Sequence, residues 1–126
     1  MQGAASLGGL AAVAEMDPSI FQVFSITKDA SYSGERVVKP GMCFRIYGKN
    51  LGFDFEDEKQ GVFLALKGDR KKAVRITSFI RRTQRTIDAI LPQDMEKGVY
   101  TVSFVKKNGE GSYPVANTTD EIEVIE

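Results

Sequence analysis

The sequence predicts an all-β domain, a sandwich of about seven antiparallel strands. Three observations support this prediction. Apolar and polar residues alternate over short segments, which is the period of a half-buried strand. Turn-forming residues separate these segments at short intervals, as is typical of β-sandwiches. After Pro18 no amphipathic pattern is long enough for a helix, and only residues 93–97 indicate a helical turn.

The first two strands are predicted from apolar residues and from the segments that separate them. Apolar side chains mark the first strand over residues 20–26, and the polar segment 28–39 predicts a loop. Gly48 and Asn50 tolerate positive φ and predict the turn that ends the second strand. This second strand, 42–47, alternates between two faces, with Met42, Phe44 and Ile46 on one and Cys43, Arg45 and Tyr47 on the other.

The third and fourth strands follow an acidic loop over residues 54–60. An apolar run predicts the third strand over 62–66. The fourth strand is predicted over 73–80, because Val74 and Ile76 share one face of the alternating pattern.

The last three strands follow from the same alternation. Pro92 ends the first of them, since proline cannot donate a hydrogen bond to a neighbouring strand. Asn108-Gly109 comes after the second and is a hairpin-type turn signal. The three strands are predicted over residues 86–91, 98–106 and 122–126.

Residues 1–17 differ in composition from the sandwich domain predicted over residues 18–126. They are rich in alanine and glycine, with no charge before Glu15. No basic residue precedes the apolar part and Gly8-Gly9 interrupts it, which argues against an export signal. We expect residues 1–17 to be a linker, or a remnant outside the folded domain, that is poorly structured or forms a short helix.

The composition excludes most kinds of active site. The chain of 126 residues has no histidine, which removes the usual zinc ligands, the histidine-activated nucleophiles and the commonest general base. Its single cysteine, Cys43, is predicted to be a buried or half-buried structural thiol. We therefore expect no enzyme activity, no metal site and no cofactor. Lysine plus arginine and aspartate plus glutamate each number 17, so overall charge attracts neither nucleic acid nor anionic membrane, and no membrane partner is expected.

Several segments resemble sequence elements of immunoglobulin-like domains found in transcription factors and many bacterial proteins. They are residues 44–51, with the pattern hydrophobic-x-I-x-G-x-N-L, and residues 61–64, 87–92, 97–102 and 122–124. Over about residues 18–126 the chain resembles, more narrowly, the C-terminal immunoglobulin-like domain of unknown function that follows an HU-like DNA-binding domain in bacterial proteins. Two stretches depart from that pattern, residues 82–85, where asparagine-x-proline or asparagine-x-serine is expected, and residues 103–106.

The resemblance implies an immunoglobulin-like sandwich in which Tyr100 is a corner tyrosine bonded to the backbone. It also implies a non-catalytic interaction module, the accessory C-terminal domain of a nucleoid-associated cytoplasmic protein, making protein–protein or auxiliary DNA contacts. Residues 2–17 would then connect the two domains. The DNA-binding arm of an HU-like domain is not in this sequence, so no DNA-binding residue is carried over. The alternative is an extracellular or cell-surface adhesion or carbohydrate-associated module, although the absence of tryptophan counts against sugar binding.

A basic segment is the strongest local feature of the sequence. Eight basic residues and one acid, Asp69, leave a net charge of +7 between residues 67 and 85. Such a segment can present cations to nucleic-acid phosphates, or it can be a solvated sheet edge that resists aggregation. Phe79 is the only aromatic residue in this segment, so a platform that stacks single-stranded bases is not predicted. The candidate nucleic-acid-binding residues are Lys67, Arg70, Lys71, Lys72, Arg75, Arg81, Arg82 and Arg85.

An acidic cluster precedes this segment, in the loop after the second strand. Its spacing does not match a calcium-binding EF-hand, so a solvated loop is predicted. A further interpretation links the acidic cluster with the basic segment, because the acidic loop of one copy can meet the basic segment of another copy, head to tail. A protein partner or self-association is therefore expected. The cluster consists of Asp54, Glu56, Asp57 and Glu58.

Overall fold

The protein folds into two packed β-sheets. The computed structural model describes residues 17–26 and 35–126, and for residues 70–72 the backbone alone. Nine strands lie in this part of the chain: β1 (Ser19–Ile26), β2 (Val37–Val38), β3 (Cys43–Lys49), β4 (Gly61–Leu66), β5 (Asp69–Arg75), β6 (Phe79–Arg82), β7 (Thr86–Ile90), β8 (Gly98–Val105) and β9 (Val115–Val124). Sheet A has the order β1-β3-β7-β6, and sheet B has the order β2-β9-β8-β4-β5. The predicted all-β sandwich is confirmed.

The core lies between the inward faces of the two sheets. Phe44 and Ile46 of sheet A are fully buried, as the alternation in the second predicted strand indicates. They belong to one apolar cluster with Leu64 and Phe104 of sheet B, which are also fully buried. This burial of two facing apolar surfaces is what holds the layers together.

The strand count is nine in the described residues, not about seven, chiefly because one predicted strand is two. The predicted fourth strand, 73–80, consists of the end of β5 and the start of β6, which belong to different sheets. Ile76 is 1% exposed, and its amide donates to the carbonyl of Val62 in sheet B at 2.9 Å. The amide of Ile90 in sheet A donates to the carbonyl of Ser78 at 2.9 Å. The alternation of apolar and polar residues over 73–80 does not show that the chain passes from one sheet to the other.

The remaining differences concern β2 and β9, which lie side by side at one end of sheet B. β2 lies where the sequence predicts a loop, and it pairs with β9 in parallel, whereas all other pairs in the described residues are antiparallel. The closing strand begins at Val115 rather than at residue 122. Its polar, threonine-rich first half carries no apolar alternation, although its backbone pairs with β8.

Three local predictions are confirmed by the structure. The hydroxyl of Tyr100 donates to the carbonyl of Glu96 at 2.7 Å, which is the expected corner contact. Cys43 is buried, at 2% exposure. Asn50 adopts a φ of 56° in the turn after β3.

Gly48 lies within β3 and not in the turn predicted for it, and there it permits the close packing of β1 on β3. A Cβ at this position would overlap with the backbone carbonyl of Ser19. The predicted linker, residues 1–17, lies outside the described residues except for Asp17. No helix in the described part of the chain is long and apolar enough to cross a membrane.

Candidate nucleic-acid interface

The basic segment runs along one side of the sandwich. β5 and β6 are the edge strands of sheet B and sheet A, and they follow each other in the chain. Lys67 lies in the turn before β5, residues 70–72 lie on β5, and Arg85 lies in the turn between β6 and β7. The segment therefore spans two sheets, and its members have different neighbours.

Arg75, at the end of β5, holds the acidic loop in place. Its Nε donates to the carbonyl of Gln60 at 2.9 Å, and its Nη2 donates to the carbonyls of Phe55 and Asp57 at 2.8 and 3.2 Å. Its guanidinium also lies 5.1 Å from the centroid of the Phe55 ring. These contacts engage Nε, Nη2 and a face of the guanidinium, so Arg75 is a structural residue.

Lys67 is paired with an acid on the neighbouring surface of sheet B. Its Nζ lies 3.3 Å from Oε2 of Glu121. This exposed ion pair balances the lysine charge and contributes little to stability.

Arg82, on β6, covers the edge of the core with its guanidinium. Its cross-strand partner on β7, Ile87, is fully buried, so Arg82 occupies an inward position of an edge strand. The guanidinium carbon lies 5.5, 5.1 and 5.6 Å from the ring centroids of Phe53, Phe55 and Phe79. A cation on aromatic faces is stabilised by the ring quadrupoles without losing its charge. In the described residues no carboxylate forms an ion pair with it.

Arg81 shares one carboxylate with a second arginine on the outer face of sheet A. Arg45 binds the fully buried carboxylate of Asp88 through both oxygens, with Nε–Oδ1 at 2.6 Å and Nη2–Oδ2 at 2.9 Å. This hydrogen bonding raises the pKa of Arg45, and burial opposes the rise. Nε of Arg81 lies 4.0 Å from Oδ2, and its side chain is 55% exposed. Two cations facing one anion leave a net positive charge at this position.

The turn between β6 and β7 is closed by the side chain of Thr83. Its Oγ1 accepts from the amide of Thr86 at 2.9 Å and donates to the carbonyl of the same residue at 3.0 Å. Thr83 thus closes the turn at the place where the sequence departs from the family pattern. The carbonyl of Arg85 accepts from the amide of Gly48 at 2.9 Å, which fixes the turn against β3. The side chain of Arg85 is exposed, and no carboxylate within the described ranges 17–26 and 35–126 forms an ion pair with it.

The sequence-based prediction missed an exposed aromatic pair on sheet A. Phe21 and Tyr47 are 49% and 39% exposed, and their ring centroids lie 5.7 Å apart in an edge-to-face arrangement. Alternation places Tyr47 on the outward side of the second strand, which was a usable signal. Phe21 was hidden because a β-bulge between Ile20 and Gln22 interrupts the alternation of β1.

The acidic loop is ordered by hydrogen bonds around Asp57. Its carboxylate accepts from Nε2 of Gln60 at 3.1 Å, from the amide of Lys59 at 3.0 Å and from the hydroxyl of Tyr113 at 3.0 Å. These bonds, that of Gln60 first, lower the pKa of Asp57, and the bond to Asp57 raises the pKa of Tyr113. No group of three or more potential metal ligands occurs among the described residues.

Both charged regions meet within a single molecule. Phe53 and Phe55 belong to the loop that carries the acidic cluster, and both contact Arg82. A polyanion that approaches Arg82 from this loop would meet carboxylates. The outer face of sheet A, where Arg81 lies, offers an approach without them.

The family of the protein follows from comparison with known sequences. A family described as a domain of unknown function (DUF4469) with Ig-like fold matches residues 22–120. This chain belongs to that family. The immunoglobulin-like form of the predicted sandwich is therefore confirmed. No curated protein matches the DUF4469 domain described here.

Three solved structures are similar to this DUF4469 domain to different degrees. A Bacteroides vulgatus protein described as DNA-binding is 18% identical, with a TM-score of 0.64 over 85% of this chain, which spans only 47% of that protein. An auxiliary nutrient-binding protein of Bacteroides thetaiotaomicron is 13% identical, with a TM-score of 0.49 over 86% of this chain and 21% of its own. A mixed-linkage glucan utilisation protein of Bacteroides ovatus is 20% identical, with a TM-score of 0.39 over 75% and 21% of the two chains.

Proposed function

We propose that this domain is a non-catalytic binding module that contacts nucleic-acid phosphates through three arginines of the β6–β7 hairpin. These hairpin arginines are Arg81, Arg82 and Arg85. The observation that supports the proposal is that all three side chains are exposed and none has a carboxylate of its own, since Arg81 only shares Asp88 with Arg45. By contrast, Arg75 is bonded to loop carbonyls and Lys67 is paired with Glu121.

The rigid edge of sheet A would present these charges at low entropic cost. Arg82 is held over three rings, and Arg85 lies in a turn fixed to β3. An arginine that is already positioned loses less side-chain freedom when it binds a phosphate. Each phosphate contact also releases counterions, so the affinity should fall steeply as salt is added.

We further propose that the domain serves as the accessory C-terminal part of a bacterial HU-like DNA-binding protein in the cytoplasm. Two observations support this context. The sequence resembles such C-terminal domains, and the Bacteroides vulgatus protein with the same fold is described as DNA-binding and is about twice as long as this chain. In that setting the domain would also offer a surface to a protein partner or to a second copy of itself. It would need no cofactor.

Fluorescence anisotropy with a labelled oligonucleotide tests the proposal. We expect the domain to bind at low salt, with log K falling linearly against log salt concentration. Replacing all three hairpin arginines by glutamine should lower the slope by about 2 to 3, at ~0.7–0.9 per lost phosphate contact. The matched control is Lys67→Gln, which removes a charge already paired with Glu121 and should leave the slope unchanged. Absence of binding at low salt would rule the proposal out.

A carbohydrate-associated module at the cell surface is the second candidate. The observation that favours it is the exposed pair of Phe21 and Tyr47, because aromatic rings can pack against sugar rings. A neutral glycan releases no counterions, so its binding should be insensitive to salt and to loss of the hairpin arginines. Binding to neutral polysaccharides, without binding to nucleic acid, would establish this candidate instead.

A further inference from the structure

The aromatic pair and Arg81, one of the hairpin arginines, belong to the outer face of sheet A. On the outer face of sheet A, Gln22, Tyr47 and Thr86 form one cross-strand row. The next row consists of Phe24, Arg45, Asp88 and Arg81. Tyr47, on β3, therefore has the β1 bulge with Phe21 on one side and strands β7 and β6, the latter with Arg81, on the other.

This face has an excess of positive charge. Among the described residues at outward positions of its four strands, Asp88 is the one carboxylate, and Arg45 binds both of its oxygens. Arg81 remains as an unbalanced cation. Lys49, two residues after Tyr47 on β3, is exposed on the same side, about 7 Å further along the strand.

Arg85 is held close to Tyr47 by the backbone. Its carbonyl accepts the amide hydrogen of Gly48, the residue that follows Tyr47, at 2.9 Å. An exposed ring thus has Lys49 along its own strand and Arg85 on the neighbouring turn. This arrangement suits a ligand that alternates flat rings with anions.

We propose that the outer face of sheet A binds single-stranded nucleic acid, with a base stacked on the Phe21–Tyr47 pair and phosphates on Lys49 and Arg85. The inference rests on the proposed function and adds what the arginines alone do not give, a preference for single strands. Bases in a duplex stack on each other and leave no free face for Tyr47, whereas every unpaired base has one. The unbalanced cations would contribute nothing to the binding of a neutral glycan.

The test compares a labelled pyrimidine single strand of about 16 nucleotides with its duplex, by anisotropy. We expect the single strand to bind more tightly. Tyr47→Ala should weaken single-strand binding about tenfold, leave the salt slope unchanged and affect the duplex little. Tyr47→Phe keeps the ring and should restore binding.

Val115→Ala supplies the matched control, because Val115 is an apolar residue of sheet B with 53% exposure. Tyr47→Ala and Val115→Ala should both leave the thermal unfolding temperature nearly unchanged, since surface substitutions away from buried contacts have small effects. Intrinsic tyrosine fluorescence gives an independent readout. It should be quenched by the single strand in the wild type and less so in Tyr47→Phe, in which the stacked ring no longer contributes to tyrosine emission.

The outcomes separate the inference from the proposed function. If Tyr47→Ala leaves single-strand binding intact while loss of the hairpin arginines weakens it, the stacking inference is wrong and the phosphate contacts stand. If neither nucleic acid binds at low salt, both proposals are wrong. If the face binds a glycan or a protein but no single strand, the inference is also overturned.

Discussion

The guanidinium of Arg45 binds both carboxylate oxygens of Asp88, a residue that is fully buried although its strand position faces outward. The two residues are direct cross-strand partners on β3 and β7, at the centre of sheet A. A bidentate pair of this kind fixes geometry as well as charge. It also leaves Arg81, on the next strand, without a carboxylate of its own.

Removing Arg45 should destabilise the fold strongly. Arg45→Met leaves the charge of Asp88 buried without its main partner, and such losses cost about 3–5 kcal/mol. We expect the lower end of this range, because Arg81 lies 4.0 Å away and compensates in part. Urea unfolding measures the change. The control is Lys97→Met, whose pair with Glu126 is 72% and 86% exposed and should contribute less than about 0.5 kcal/mol. A loss below about 1 kcal/mol for Arg45→Met would contradict this prediction.

Alanine at position 48 should disrupt the pairing of β1 with β3. The added Cβ would overlap with the carbonyl of Ser19, and backbone cannot move aside as a side-chain tip can. Overpacking costs typically 1–3 kcal/mol, and we expect at least about 2 kcal/mol by urea unfolding. Gly109→Ala is the matched control, since nothing lies within 4 Å of its Cβ position. Equal stability of the two variants would refute this reading of Gly48.

Two arginines of the basic segment should respond to the same substitution in opposite ways. Arg75→Met removes three hydrogen bonds to loop carbonyls and should lower the free energy of unfolding by about 2 kcal/mol, because bonds to charged donors are among the stronger ones. Its effect on the salt slope of nucleic-acid binding should be small. Arg82→Met retains apolar contact with the phenylalanines and should change stability less, while lowering the slope by ~0.7–0.9. If Arg82→Met lowered the stability and Arg75→Met lowered the salt slope, the structural and the binding role would be assigned to the wrong residues.

The contact between Asp57 and Tyr113 should depend on pH at both extremes. The pKa of Asp57 is lowered from its ordinary 3.8, so its contribution to stability is present above 3.8 and is lost as pH falls through the folded-state value. The pKa of Tyr113 is raised from its ordinary 10.0, so its contribution is present below 10.0 and is lost as pH rises through the folded-state value. Asp57→Asn should therefore be less stable than the wild type at neutral pH, with the difference disappearing in strong acid. Unfolding curves across pH test this, and a difference that persists below the Asp57 titration would contradict it.

Much of the fold could be predicted because burial and alternation are local properties of the chain. Phe44 and Ile46 face the core as predicted, and Tyr100 makes its corner hydrogen bond. The change of sheet after Arg75 could not be predicted, because the apolar pattern continues unchanged through Ile76. The extent of β9 was missed for a different reason, since its first residues pair through the backbone without burying apolar side chains.

The candidate site was predictable in composition but not in arrangement. The basic segment is visible in the sequence as a run of charge, yet sequence spacing does not show that Arg75 turns to the loop carbonyls. Likewise, nothing local indicates that Asp88 is already bound by Arg45 across the sheet. These contacts join residues 43 positions apart for Asp88 and Arg45, and between 15 and 20 positions apart for Arg75 and the loop. Pairing across strands, rather than any motif, decides which cations stay available.

NMR can show whether nucleic acid binds at the hairpin arginines and Tyr47. The experiment maps amide chemical-shift changes as a single-stranded oligonucleotide is titrated into the domain at low salt. We predict that the changes concentrate on the β6–β7 hairpin with Arg81, Arg82 and Arg85, and on the strand that carries Tyr47. Signals of the loop between β8 and β9 away from Tyr113, such as Gly109 and Gly111, should remain in place. Shifts confined to sheet B, or no shifts at all, would contradict nucleic-acid binding by the β6–β7 hairpin and Tyr47.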